Sequence, residues 1–284
     1  MVGFKSLLEW LSRPEGLTVK DKVSIFYAKL AFLSLRLFLR LFLGKRRRND
    51  YFVRKNLTFG SFMPCGARVK YYGFLVHLRP GAEDLGFLSP YHEPEIVKLL
   101  QEQLKRDDNF VNIGANVGKY VLLASKYIDK GRIIAVEPHP ETFKVLVENV
   151  SLNELNVECI NVAVSDREGF DKLYISANGS GRNSLLSQGR TEKYIQVKIT
   201  TLDSLVKALV LNKIDWLLID VEGAEDKVLT AAPIALSITD KIIVEAHSDE
   251  NYKFVTNMLK ENGFEITTIY EAYSMPHILG RRFR

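Results

Sequence analysis

The chain has 284 residues, 46% of them apolar, with a formal net charge of +5 and a sequence pI near 9.0. That length and composition exclude a minimal domain and wholesale disorder, and the two distant cysteines, Cys65 and Cys159, exclude a disulfide framework or a cysteine zinc site and fit a reducing, intracellular setting. The positive balance calls for an acidic partner (nucleic acid, anionic lipid or a charged substrate) without choosing among them.

Residues 1–50 read as a helical, amphipathic extension. Phe4, Leu7, Leu8 and Leu11 follow helical spacing, and Pro14 and Gly16 end that first turn of structure. Thr18 then precedes Asp21 in the manner of a capping box and opens a long apolar run to Gly44. Lys29, Arg36 and Arg40 interrupt the run. Each would cost roughly 2.5–3.5 kcal/mol at mid-membrane, so a spanning helix is the weaker reading. No small-residue cleavage site follows, so it does not read as a signal peptide. At about 100° per residue, Lys22, Lys29, Arg36, Arg40 and Arg47 fall on one narrow stripe. Either the apolar face packs on the protein itself or on a second copy, or the helix lies in a membrane surface. In the second case Lys45, Arg46, Arg47 and Arg48 would grip anionic headgroups.

Residues 51–105 lead into the core. "RVKYYGFLVHLR" alternates and turns near Tyr72 and Gly73, which predicts a β-hairpin. "PYHEPEIVKLLQEQLKRDD" predicts a helix with Pro94 in its first turn and Glu95 beside its positive end, closing near Asp107 and Asp108.

From residue 106 to 284 the pattern is strand, turn and helix, repeated. "FVNI", "GRIIAVEP", "VECINVAVS", "DWLLID" and "DKIIVEAH" read as strands, with "KYVLLASKYI" and "PETFKVLVENVSLNEL" as helices between them. The alternation predicts a doubly wound, mostly parallel α/β sheet of Rossmann-like class, with ligands beyond the carboxyl ends of its strands. Gly114 and Gly118 frame the first turn, and Glu137 ends the second strand, where a carboxylate can accept both hydroxyls of an adenosine ribose. Asn116 stands where a dinucleotide loop has its second glycine, which disfavours a pyrophosphate. S-adenosylmethionine has no pyrophosphate, and it needs both a tight turn and a ribose carboxylate.

"NIGANVG", "AVEPHPETF", "NVAVSD", "TLDSL", "IDVEGAE" and "IIVEAH" occur here in one order. In this the chain resembles the FkbM-type S-adenosylmethionine-dependent methyltransferases over roughly residues 85 to 270. The resemblance implies a class I methyltransferase acting on hydroxyl oxygens of polyketides, sugars or glycolipids. It implies cofactor contacts from Asn112, Gly114, Ala115, Asn116, Gly118, Glu137, Pro138, Asp166 and Asp220. Asn112 departs from the aspartate usual in that family and brings no charge to the cofactor's ammonium.

Methyl transfer to a hydroxyl needs positioning and a base. Asp220 and Glu222, and Glu245 and His247, are alternate residues after two strands, so each pair shares a face. His247 titrates nearest neutrality and is the first candidate base; Asp220 is the alternative, because like charges raise a carboxylate's pKa. These four groups could also hold Mg²⁺ or Mn²⁺, but nothing in the spacing fixes their geometry, and no metal is assigned. Glu225 and Asp226 read as the exposed first turn of a helix. "SANGSGRNSLLSQGR" reads as a flexible loop or a lid that turns Arg182 and Arg190 toward the acceptor, and "HILGRRFR" as a basic surface tail or a phosphate contact.

The expected partner is a hydroxyl-bearing acceptor, a sugar or lipid-linked glycan. Nucleic acid is not expected, since no aromatic platform accompanies the arginine run. The expected setting is cytoplasmic, peripheral on the membrane if the first helix binds lipid. The alternatives are a binding protein without turnover and a nucleotide-dependent oxidoreductase.

Overall fold

The computed structural model describes residues 18–42, 65–82, 84–88, 92–176, 183–187, 193–270 and 275–282, the side chains of 32–42 and 85 excepted. The helix expected at residues 4–11, the run Lys45 to Arg48, and Arg182 and Arg190 lie outside these residues. The chain divides into two compact units, residues 1–89 with 177–181, and residues 90–176 with 182–284.

In the smaller unit, α1 (Val19–Phe42) packs on a hairpin of β1 (Ala67–Tyr71) and β2 (Phe74–Leu78), followed by α2 (Asp84–Phe87). The cap is as the sequence predicts: Thr18 donates through its N–H and Oγ1 to Asp21 Oδ2, both at 2.8 Å, and Asp21 N–H donates back to Thr18 Oγ1 at 3.1 Å. The hairpin turns at Tyr72 and Gly73 as expected. The inner face of α1 is unexpectedly polar. Asp21, Ser24, Ile25, Ala28 and Lys29 are buried; Ser24 Oγ donates to the Cys65 carbonyl at 2.9 Å and Arg68 N–H to Asp21 Oδ1 at 3.2 Å. Lys29 therefore does not stand on an exposed cationic ridge. Val19, Val23, Phe26, Tyr27 and Leu30 form the outward stripe instead. Among the described residues no helix is long and apolar enough to cross a membrane.

The larger unit runs α3 (Pro94–Gln103), β3 (Phe110–Ile113), α4 (Lys119–Ser125), β4 (Ile133–Val136), α5 (Pro140–Ser151), β5 (Glu158–Ile160), β6 (Ala163–Val164), β7 (Gly169–Tyr174) and β8 (Tyr194–Thr200). It continues with α6 (Leu202–Ala208), β9 (Ile214–Ile219), α7 (Glu225–Thr230), α8 (Pro233–Ser237), β10 (Thr239–Glu245), α9 (Asp249–Glu261), β11 (Glu265–Ile269) and β12 (His277–Arg281). Seven strands form one sheet in the order β11-β12-β10-β9-β3-β4-β5. Strands β10, β9, β3, β4 and β5 run parallel, and β12 is antiparallel to both neighbours. β3, β4 and β9 are buried throughout, the signature of parallel strands covered on both faces.

Three expectations are corrected. α3 stops at Gln103 rather than at the aspartates, because Leu104 leaves the helical region at ψ 138°. The expected third strand breaks after Ile160, and β6 joins β7 and β8 in a second sheet of order β6-β8-β7. "HILGRR" is no tail but an interior strand in which Ile278 and Leu279 are buried. A Cβ at Gly280 would meet Ile242 Cγ2 at 2.8 Å, so only glycine lets β12 lie flat here.

Candidate active site

β4 and β5 lie to one side of β3, β9 and β10 to the other, so the strand order reverses at β3 and opens a crevice beyond its carboxyl end. Gly114 is the first residue out of β3, at φ +85°, and a Cβ there would lie 1.7 Å from the Asp220 carbonyl oxygen. The turn can leave the sheet only pressed against the end of β9, which fixes Asp220 beside it. Asn116 follows in the left-handed region at φ 50° and donates its N–H to Glu137 Oε2 at 2.9 Å. Glu137 Oε1 accepts the His139 N–H at 2.9 Å. Asn161 Nδ2 holds the carbonyls of Glu137 and Pro138 at 2.7 and 3.0 Å.

Glu137 thus pins the two turns. Asn112 is 1% exposed, and among the described residues neither its Oδ1 nor its Nδ2 has a hydrogen-bond partner; Asn116 Oδ1 is likewise unpartnered there. A buried amide left so costs about 1–3 kcal/mol unless a ligand completes it. The donor set, a neutral amide for charged termini and a carboxylate for a diol, fits S-adenosylmethionine. Asp166 is placed differently. It follows β6 in the second sheet, and its hydrogen bonds go to Ser165 and Arg167 rather than to the turn.

Beyond β9 and β10 the structure gathers the four candidate catalytic groups. His247 Nε2 lies 3.7 Å from Asp220 Oδ1, 3.5 Å from Glu222 Oε2 and 3.8 Å from Glu245 Oε2. Its Nδ1 meets Glu225 Oε1 at 2.7 Å. Glu225 is fully buried, not exposed as expected, and also accepts from the Gly223 N–H and Asn251 Nδ2. Burial alone would lower the His247 pKa, but Glu225 and the three facing carboxylates hold it well above the ordinary value. Burial pushes Asp220 up to about 6 against the pull of His247, and burial with the Asp220 charge pushes Glu245 well above the usual carboxylate range.

A second network adjoins Glu245. Glu93, at φ 52° before α3, is 5% exposed and accepts from Lys119 Nζ at 2.8 Å and from the Tyr120 hydroxyl. His277, opposite Glu245 in the β10–β12 register, places Nε2 3.8 Å from Glu93 Oε1. Burial lowers its pKa to about 4. Burial would raise Glu93, but the Lys119 ammonium and His92 hold it well below the ordinary value. Periodicity marks Pro94 and Glu95 and passes over this network. Its one trace in the sequence is the dipeptide His92-Glu93 stalled before a proline.

Among the described residues two triads have the spacing for a metal ion, Glu93 with Glu245 and His277, and Asp220 with Glu222 and His247, each with ligand atoms within 4.8 Å of one another. The first already faces a cation of the protein, Lys119, on Glu93. Of the expected lid, Asn183 to Ser187 are described: Ser184 Oγ donates to the Glu222 carbonyl at 2.8 Å, which ties that stretch to the carboxylate end.

The model of the methyltransferase FkbM domain matches residues 112–266. Hexuronic acid methyltransferase AglP of Haloferax volcanii is 31% identical over 195 residues, covering 67% of this chain and 77% of that one. Methyltransferase sdnD of Sordaria araneosa is 24% identical over 190 residues, covering 55% of this chain and 73% of that one. Among solved structures, methyltransferase FkbM from Methylobacillus flagellatus aligns with a TM-score of 0.47 at 10% identity, over 97% of this chain and 58% of that one.

Proposed function

Because the chain belongs to the FkbM family of S-adenosylmethionine-dependent methyltransferases, we propose that its acceptor is a hydroxyl oxygen of a sugar. The observation that carries this reading is the part-buried carboxylate group at the ends of β9 and β10, joined to the likeness to a hexuronic acid methyltransferase. The cofactor supplies a methyl group made electrophilic by its sulfonium.

The chain's own residues do the rest. Asn112, Gly114 and Asn116 cradle the amino acid end of the cofactor, and Glu137 takes the ribose. Asp220 receives the proton as the hydroxyl oxygen attacks. It is partly open, its Oδ1 has no hydrogen-bond partner, and a pKa of about 6 leaves it ionised yet basic at neutral pH. Against burial, the carboxylates around His247 raise its pKa, so it favours the charged form over the role of base. It offsets the surrounding negative charge and keeps Asp220 ionised, while Glu225 fixes its ring. Our reading therefore exchanges the roles the sequence suggests for His247 and Asp220.

The test is methyl transfer from labelled cofactor to a panel of free and glycosidically linked sugars. Label on a sugar oxygen, lost in Asp220→Asn by about 10²–10⁴-fold, is the expected result. Transfer only to nitrogen, or to non-sugar hydroxyls, sinks the reading.

We further propose that α1 rests on an anionic lipid surface and that the acceptor is lipid-linked. Two aromatic and three aliphatic side chains on its outward stripe support this, with Lys20 and Lys22 exposed beside them.

A further inference from the structure

On the outer face of the β6-β8-β7 sheet, alternate residues of two antiparallel strands point away from the core. Phe170, Lys172 and Tyr174 of β7 stand opposite Lys198, Gln196 and Tyr194 of β8. The inner face holds Leu173, Val197 and Ile199, each at most 5% exposed, which fixes the alternation. Phe170 is 66% exposed and Tyr194 49%, so two large rings forgo burial that would stabilise them. Lys172 Nζ lies 4.2 Å from the centroid of the Tyr194 ring, and the Tyr174 and Tyr194 rings meet edge-on at 6.2 Å. These contacts hold the rings in place across the strands.

This face begins at the reactive end. Tyr174 N–H donates to the Ser184 carbonyl at 2.8 Å, and Ser184 N–H returns to Tyr174 at 3.1 Å. Ser184 in turn bonds the carbonyl of Glu222, a member of the carboxylate cluster. From Tyr174 the ladder runs back to Phe170 over about 13 Å of extended strand, longer than one pyranose ring.

A pyranose presents apolar C–H faces and a polar rim. Its faces suit aromatic rings, and its rim suits amide and ammonium side chains. Lys172 and Lys198 make this face cationic, whereas the groups around Asp220 are mostly carboxylates. An acidic sugar chain is therefore attracted to the sheet and repelled from the reacting end, except where its neutral hydroxyl enters. We propose that the outer face of β7 and β8 is a track for an acidic oligosaccharide that carries the acceptor sugar, an inference that rests on the sugar-methylation reading.

The experiment pairs calorimetry with kinetics, using an oligogalacturonate, its monosaccharide and a neutral oligosaccharide of equal length. The wild-type protein should bind the oligogalacturonate more tightly than either control, less so as salt is added. Tyr194→Ala, Phe170→Ala and the pair Lys172→Gln with Lys198→Gln should each weaken that binding about tenfold, about 1.4 kcal/mol. Tyr194→Phe, which keeps the ring, should retain it. If the oligogalacturonate is methylated, its KM should rise in the same variants while kcat, and the KM of the monosaccharide, stay unchanged. Circular dichroism checks that each variant is folded. Equal binding of chain and monosaccharide, or of acidic and neutral chains, overturns the track. So does loss in the ring variants that Tyr194→Phe shares. Calorimetry decides this even when none of the three sugars accepts a methyl group, a result that would count against the sugar reading instead.

Discussion

As the proposed base, Asp220 is useful only as an anion, and burial lifts its pKa to about 6. Turnover under subsaturating acceptor should accordingly fall as pH drops through about 6, the apparent value belonging to the coupled cluster rather than to one carboxylate. Asp220→Asn should abolish that limb with the activity; a limb that persists unshifted in a partly active variant would place the base elsewhere. Glu137 makes a separate claim. Glu137→Ala should weaken cofactor binding by roughly 1.5–3 kcal/mol, the range for charge-assisted hydrogen bonds, as measured by calorimetry. Unchanged affinity would leave Glu137 a pin for the Asn116 and His139 turns and nothing more. At this scale the sequence was most legible where a residue type is nearly compulsory, as at Gly114, where a Cβ would strike the Asp220 carbonyl. It was least legible where a charge acts through burial. Glu225 reads as a helix-start acid, yet it is fully buried and orients His247.

α1 shows how one element can satisfy a sequence pattern and invert its meaning. Its period, cap and starting residue follow from the sequence, yet Asp21, Ser24 and Lys29 turn inward and Phe26 and Tyr27 outward. Hydrogen bonds to Cys65 and Arg68 set that rotation, and these partners lie beyond any local window. If the outward stripe enters lipid, the double variant Phe26→Ser, Tyr27→Ser should lose most binding to phosphatidylserine vesicles in a sedimentation assay. Methyl transfer to a water-soluble sugar should be unaffected. Binding that is unaltered, or that does not weaken with salt, would contradict the lipid reading. The strand "VECINVAVS" failed for a related reason. Apolar character continues across Asn161, but the backbone changes sheets there, and periodicity carries no information about which partner a strand takes.

For the molecule as a whole, alternation of strands and helices was enough to predict the parallel core and a ligand site beyond the carboxyl ends of its strands, but not the strand order that reverses at β3. Nor was it enough for the antiparallel insertion of β12, since a basic hexapeptide with one glycine looks like surface. S-adenosylmethionine at about 100 times its dissociation constant should stabilise the folded chain by about 2.7 kcal/mol, seen as a rise in Tm, while NAD should give none. A comparable rise with NAD would argue that the crevice accepts a pyrophosphate after all. The place of β12 has a consequence for biosynthesis. Residues 277–281 separate β10 from β11, so β10 has no neighbour on that side while the preceding chain is being made. Ile242, Ile243 and Val244 then form an open apolar edge, a template for pairing with other nascent chains. Premature termination before His277 leaves that edge open for good, and such fragments are candidates for aggregation and proteolysis rather than for slow catalysis.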